Sequence, residues 1–373
     1  MINFSCRGKT AEVEQAVVGF SKNNQSRKDG LSDASVSTLY SILPALLLAI
    51  VAAILLSGCA GGGIVGIDSS TGRAILLAQD NDYIIVIAGR EDARSLAKKY
   101  LGDSSLYWLI EDANEPEGIV PGKSVVIPRR PMNPTGIDAD RYQTVPILCY
   151  HRFGRNNGRL TLSPEAFREQ MQFLKDNDYR VIPLSDLIGF LKGKKAIPRR
   201  SVVLTIDDGH QSIYKIAYPI LNEFGFPATV FAYTDYLNNG GLTWKQIRSM
   251  TSSGLISVQP HSKTHDNLAV RKRNESSESY KQRVAREVSL PTDYLRKRQN
   301  DPINSFAYPF GDASDEVITE VKNNGLNLGL TVQPGGNPAF SFPYLLHRSM
   351  IFGDRGMQEF KSSLITEKFL KDS

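Results

Sequence analysis

Between residues 145 and 331 the chain repeats one pattern, a short apolar run followed by a stretch whose apolar residues recur at helical spacing. The runs cover 145–150, 201–206, 228–233, 255–258, 305–308 and 326–331, and helical stretches such as 213–224, 243–252 and 315–323 lie between them. Ser163 and Pro164 form a cap and first-turn pair, after which Phe167, Met171 and Leu174 mark one buried helix face. Apolar runs of this kind read as strands covered on both sides. Strand and helix alternating over some 200 residues predict an α/β domain built on a parallel barrel or a doubly wound sheet. In either case reactive groups collect beyond the C-terminal strand ends.

One of those ends carries chemistry. The run Val202-Val203-Leu204-Thr205-Ile206 stops at two adjacent carboxylates, Asp207 and Asp208, followed by Gly209. Downstream, His261-Ser262-Lys263-Thr264-His265 places two imidazoles four residues apart. Two histidines and a carboxylate form the nitrogen and oxygen set of a catalytic divalent cation, zinc above all, with positions left open. His261 and His265 with one of the two acids, Asp207 or Asp208, are the candidate ligands. The other acid can then serve as base, since adjacent residues at a strand end splay in different directions, and spacing alone does not say which of the two takes which role.

These pieces resemble the polysaccharide deacetylase family, carbohydrate esterase family 4, from about residue 145 to 352. The resemblance rests on Tyr150-His151-Arg152, Thr205-Ile206-Asp207-Asp208-Gly209, the His261 to His265 segment and Phe306-Ala307-Tyr308-Pro309-Phe310-Gly311. It implies a distorted (β/α) barrel that removes N- or O-acetyl groups from polysaccharide. By the same resemblance Asp207 is the base, Asp208, His261 and His265 hold the metal, and the Phe310 N–H helps stabilise the oxyanion. Tyr308, Pro309, His151 and Arg348 are expected on the substrate side. His347, in Leu345-Leu346-His347-Arg348, is the candidate acid, imidazole being the side chain suited to proton transfer near neutral pH. Ala307 stands where many members carry an arginine that orients the aspartate, so Arg348 is expected to supply that charge.

Upstream, 83–87 reads as a strand, and Ala93, Leu96, Ala97, Tyr100 and Leu101 give an amphipathic helix stopped at Gly102. A second helix over 105–113, breakers at Asn114, Pro116 and Gly118, and a closing strand before Pro128 complete a βααβ unit. It resembles the lysin motif, or LysM, which binds N-acetylglucosamine chains. Gly89-Arg90-Glu91 replaces that family's usual Gly-Asp-Thr. The expected division is a leader over 1–58, a tether over 59–82, the LysM-like module over 83–129, a linker over 130–144 and the deacetylase domain over 145–373.

Residues 42–56 are apolar and uncharged, a length that fits a signal-peptide core better than a bilayer span. The run ends at Leu56-Ser57-Gly58-Cys59, which resembles a bacterial lipoprotein cleavage box. Cys59 is then the acylated first residue of an envelope lipoprotein, and Ala60, in place of an aspartate, points to the periplasmic face of an outer membrane. Cleavage removes Cys6, so Cys149 has no partner for a disulfide within the chain.

The net charge of +5 suits an anionic envelope, but no basic stripe interleaved with aromatics marks a nucleic-acid binder. The charged region 271–300 is expected to be a solvated helical face. Trp244 and Tyr236 are candidates for stacking on sugar. Two other classes use similar residues: an inactive glycan-binding lipoprotein, and an iron oxygenase with the same two-histidine, one-carboxylate set. The Asp207 beside that set and the barrel pattern disfavour the oxygenase, and the resemblance implies hydrolysis of an acetylated glycan.

Overall fold

The computed structural model describes residues 72–155 and 158–370. The leader, the cleavage box and Cys59 lie outside the described residues.

The expected βααβ unit is present, with one strand more. Tyr83–Ile87 and Ser124–Pro128 pair antiparallel, and the helices Ala93–Leu101 and Tyr107–Ala113 lie between them in sequence. Ile75–Gln79, read as tether, instead pairs antiparallel with Tyr83–Ile87 as an outer strand. It escaped the sequence pattern because it has no buried face: Leu76 and Leu77 are both exposed. Ile84, Val86, Leu96, Ile110, Val125 and Ile127 form the core. Asn114, which looked only like a helix breaker, is a latch. Its amide donates to the Ile110 and Val126 carbonyls and accepts from the Val126 N–H.

The segment read as a linker is partly structured as well, because Arg141–Gln143 pairs antiparallel with Glu367–Phe369. The small unit is fastened to the large one by charge. Arg180 reaches Glu111 at 2.6 Å and Asp112 at 3.5 Å, and Asp112 also accepts from the Arg199 N–H.

In the large domain Val145–Tyr150, Ser201–Ile206, Ala228–Ala232 and Ile256–Pro260 form successive parallel pairs. Their burial is almost continuous, as β-branched runs covered on both sides require. Ser305–Ala307 and Leu328–Leu330 make a separate parallel pair. The residues after it close the ring: Leu346 bridges Leu330, and Ser349–Met350 pairs with Leu148 and Cys149.

Between Ile256–Pro260 and Ser305–Ala307 a side chain replaces the backbone ladder. Gln259 accepts from the Asn304 and Ser305 N–H groups and donates to the Pro302 carbonyl. The result is a distorted barrel. Its register sets Tyr150 opposite Ile206, Ile206 opposite Val230, and Ala232 opposite Pro260. His151, Asp207, Asp208, Tyr233 and His261 therefore emerge together at one mouth.

Candidate metal centre and active site

The turn after Ile206 separates the two acids. Asp208 and Gly209 both adopt positive φ, 71° and 75°. At Gly209 a Cβ would sit 2.9 Å from the Ala232 Cβ, so glycine meets both a conformational and a spatial demand. Asp208 holds a left-handed conformation uncommon for a side-chain-bearing residue, a form of strain that clusters at functional sites. This turns the Asp208 carboxylate toward both imidazoles, while Asp207 Oδ2 lies 3.8 Å from His261 Nε2.

Asp208 Oδ1 lies 3.4 Å from His265 Nε2 and 4.0 Å from His261 Nε2. The three ligand atoms fall within 4.8 Å of one another, close enough to share one ion. His261 Nδ1 is 2.8 Å from the Ala307 carbonyl oxygen, which only accepts, so Nδ1 carries the proton and Nε2 presents a lone pair. Burial pushes the His261 imidazole down to about 4 against the pull of Asp207, leaving it neutral at pH 7. For Asp208 burial acts to raise the carboxyl, but the His265 hydrogen bond and His261 prevail and lower it. Two imidazole nitrogens with a carboxylate are the donor set a zinc-like cation takes, and the residues fit such an ion.

Asp207 is almost fully buried and salt-bridged on both oxygens. Arg348 donates from Nη1 to Oδ1 and from Nη2 to Oδ2, each at 2.7 Å. Burial alone would raise this carboxyl, and the Arg348 guanidinium with His261 and His151 instead holds it well below the usual carboxylate range. Cys149 adds a thiol hydrogen bond to Oδ2 at 3.5 Å, and burial pushes that thiol well up. The charge expected from Arg348 thus reaches Asp207.

Several substrate-side assignments are corrected. Arg348 is 0% exposed, its remaining donors going to the Thr331 carbonyl and Thr205 hydroxyl, so it supports Asp207 from behind and touches no ligand. Tyr308 is buried and donates to the Tyr344 carbonyl. Pro309 is buried too. The chain behind the mouth packs these two inward because Ser305–Ala307 continues directly into a 3-10 turn.

Phe310 alone of that segment faces outward, 59% exposed at φ 62°, with its ring edge-on to His265 at 5.0 Å. His151 is half-buried and within 4.8 Å of Cys149 and Asp207, and its Nδ1 is buried without a hydrogen-bond partner among the described residues. His347 is exposed, with Nδ1 3.2 Å from the Pro334 carbonyl, which leaves Nε2 unengaged there. Its backbone is fixed by Asn337, which accepts from His347 N and donates to His347 O.

The sequence also hid residues. Tyr233 lies against His265 at 5.2 Å and stacks on Tyr236 at 5.0 Å, and Tyr236 in turn faces His210. This wall runs from the metal ligands outward; only the position of Tyr233 at the end of Ala228–Ala232 could have signalled it. Trp244 packs against Tyr294 and donates to its hydroxyl at 3.2 Å, so it braces a helix. The charged region is only partly solvated, because Arg283 and Glu287 turn inward from Ser277–Arg296.

A family model described as polysaccharide deacetylase matches residues 194–329. A poly-beta-1,6-N-acetyl-D-glucosamine N-deacetylase of Staphylococcus epidermidis is 30% identical over 202 residues, spanning 52% of this chain and 69% of that protein. Among solved structures, a Streptococcus pyogenes deacetylase in complex with acetate is 26% identical at a TM-score of 0.54, covering 60% of this chain and 98% of its own. A polysaccharide deacetylase from Bacillus cereus is 25% identical at a TM-score of 0.51, covering 68% and 75%. Strand ends, ligand geometry and these relatives agree: the chain belongs to the polysaccharide deacetylase family, carbohydrate esterase family 4, and is a hydrolase that removes acetyl groups from polysaccharide.

Proposed function

We propose that the chain hydrolyses the N-acetyl groups of N-acetylglucosamine units in an exported polysaccharide, with zinc at Asp208, His261 and His265. The observation that carries this reading is the difference between adjacent acids: Asp208 lies within 4.0 Å of both imidazoles, whereas Asp207 approaches only His261 of that pair, at 3.8 Å, and has both oxygens held by Arg348. An ion bound there would supply Lewis acidity, making water easier to deprotonate and drawing charge from the acetyl carbonyl. Asp207 takes the proton of the attacking water. As the new C–O bond forms, negative charge gathers on the acetyl oxygen, where the Phe310 N–H donates to it. His347 then protonates the leaving amine through Nε2, and acetate and a free amino sugar are the products. His151 and the Tyr233–Tyr236 wall flank the sugar.

The relative from Staphylococcus epidermidis favours poly-β-1,6-linked N-acetylglucosamine over wall peptidoglycan, the alternative that the LysM-like unit supports. Acetate release by the purified chain from each polymer, with zinc and with chelator, tests this directly. Chelator-sensitive release from the β-1,6 polymer is the expected result, and no release from either polymer defeats it.

The same reading makes the unit ending at residue 129 a LysM-like glycan-binding module and Cys59 a lipid anchor at the envelope. Glu91 of that unit accepts from the Ala74 N–H and pairs with Lys99, so it serves the fold where the lysin motif usually has threonine. Fatty-acid labelling that is lost in Cys59→Ser tests the anchor. Retention of the isolated chain on insoluble peptidoglycan tests the module.

A further inference from the structure

Glu287 sits in the middle of the helix Ser277–Arg296, 6% exposed, and directs its carboxylate at the turn that carries both imidazoles. Oε2 accepts from the N–H groups of Lys263 at 3.0 Å and Thr264 at 2.9 Å, and Oε1 accepts from the Thr264 hydroxyl at 2.9 Å. No ion pair among the described residues includes Glu287; the Lys263 ammonium goes to Asp235 instead. A desolvated carboxylate here is spent entirely on one peptide segment.

That segment needs holding. Ser262 and His265 both lie at positive φ, 68° and 67°, so the turn is strained at each end. Its other links are the Ser262 hydroxyl, which accepts from the His265 N–H, and two carbonyls that accept from Thr234 and Asp235. His261 has its own anchors, the Ala232 carbonyl for its N–H and the Ala307 carbonyl for its ring. Among the described residues the His265 ring has aromatic neighbours in Tyr233, His261 and Phe310 but no hydrogen bond beyond its approach to Asp208, so the direction of its Nε2 depends on the turn that carries it. Without Glu287, two adjacent N–H groups would lose their acceptor and the turn would relax toward one that finds others.

We propose that Glu287 is a positioning residue for the metal site, clamping the Lys263–Thr264 peptide so that His265 reaches the cation held by Asp208 and His261. The clamp rests on the reading that these three residues bind the ion. Outer partners of metal ligands commonly govern affinity in this way.

Zinc affinity of the full chain, measured by competition with a chromophoric chelator, tests the clamp without reference to turnover. Glu287→Ala is expected to weaken zinc about 10–100-fold and to shrink the zinc-induced rise in Tm. Glu287→Gln, whose amide oxygen still accepts both N–H groups, is expected to stay within about threefold of the parent. A folded Glu287→Ala chain with parental zinc affinity overturns the proposal, as does Glu287→Gln binding as weakly as Glu287→Ala. If Glu287→Ala does not fold, Thr264→Val decides: a loss of about three- to tenfold is expected, and parental affinity overturns the clamp. Asp208→Asn separates the two levels. Zinc binding indifferent to Asp208→Asn defeats the metal-site reading itself, whereas binding that needs Asp208 but ignores Glu287 defeats only the clamp.

Discussion

Arg348 and Asp207 meet in a bidentate ion pair, both N–O distances 2.7 Å, with the arginine fully buried 141 residues away in sequence. Ala307 is buried and uncharged, and the guanidinium that reaches Asp207 arrives from the segment that closes the barrel. Removing it leaves a buried carboxylate uncompensated, so Arg348→Ala is expected to lose about 3–5 kcal/mol of stability. Arg348→Lys keeps the charge but loses the fork geometry, and kcat should fall about 100-fold with the fold intact. Asp207→Asn, which preserves shape and abolishes the base, should lower kcat by about 10²–10⁴-fold. Urea denaturation and acetate release on the three variants check the set. Parental kcat in Arg348→Lys would remove the pair from the mechanism.

Metal removal should act through the same mouth. Dialysis against chelator is expected to abolish turnover, and zinc should restore it. His265→Ala should weaken zinc without loss of the fold, because His265 is partly exposed. His261→Ala opens a cavity at a fully buried position and should also lower Tm by several degrees. Zinc titration beside thermal melting distinguishes these two effects, and a chelated enzyme with full activity contradicts both.

The acid can be assigned by comparing turnover in single variants. With Nδ1 tied to the Pro334 carbonyl, His347 has Nε2 for transfer to the amine. His347→Ala should reduce kcat about 10²-fold or more with the fold intact. Parental kcat there, together with a loss of kcat in His151→Ala, would move the role to the imidazole beside Asp207.

How legible the site was depended on whether each residue's signal was local. Asp207 and Asp208 stood out because they end a β-branched run, and His261 and His265 because their spacing lies within one turn. The helix Asp315–Asn323 was read to the residue, since Ser314 caps it through the Val317 N–H and its buried positions keep helical spacing. Glu287 and Tyr233 gave no such signal, and Arg348 was reached only through the family resemblance, as the charge to replace an arginine missing at Ala307. Their partners are distant in sequence, and a buried charge looks the same as a solvated one until its partner is known. Short strands fared no better: Ser349–Met350 and Gly336–Asn337 are two residues each, below the length at which alternation can be read.

Stability should depend on pH through His261. Burial holds its imidazole down at about 4 in the folded chain, whereas an unfolded histidine takes its proton near ~6.5. Between those values the unfolded chain binds the proton and the folded chain does not, so lowering the pH from about 7 toward 4 favours unfolding, by on the order of 3 kcal/mol. Asp207 and Asp208 have folded values below that of a free carboxyl, so their stabilising contribution survives this interval and is lost only at more acidic pH. The metal-free chain should therefore weaken in two stages as acid is added. Urea midpoints measured at pH 7.5, 6 and 4.5 test the first stage, and His261→Gln should flatten it. A parental profile already flat over that interval would mean that His261 is not buried in its neutral form.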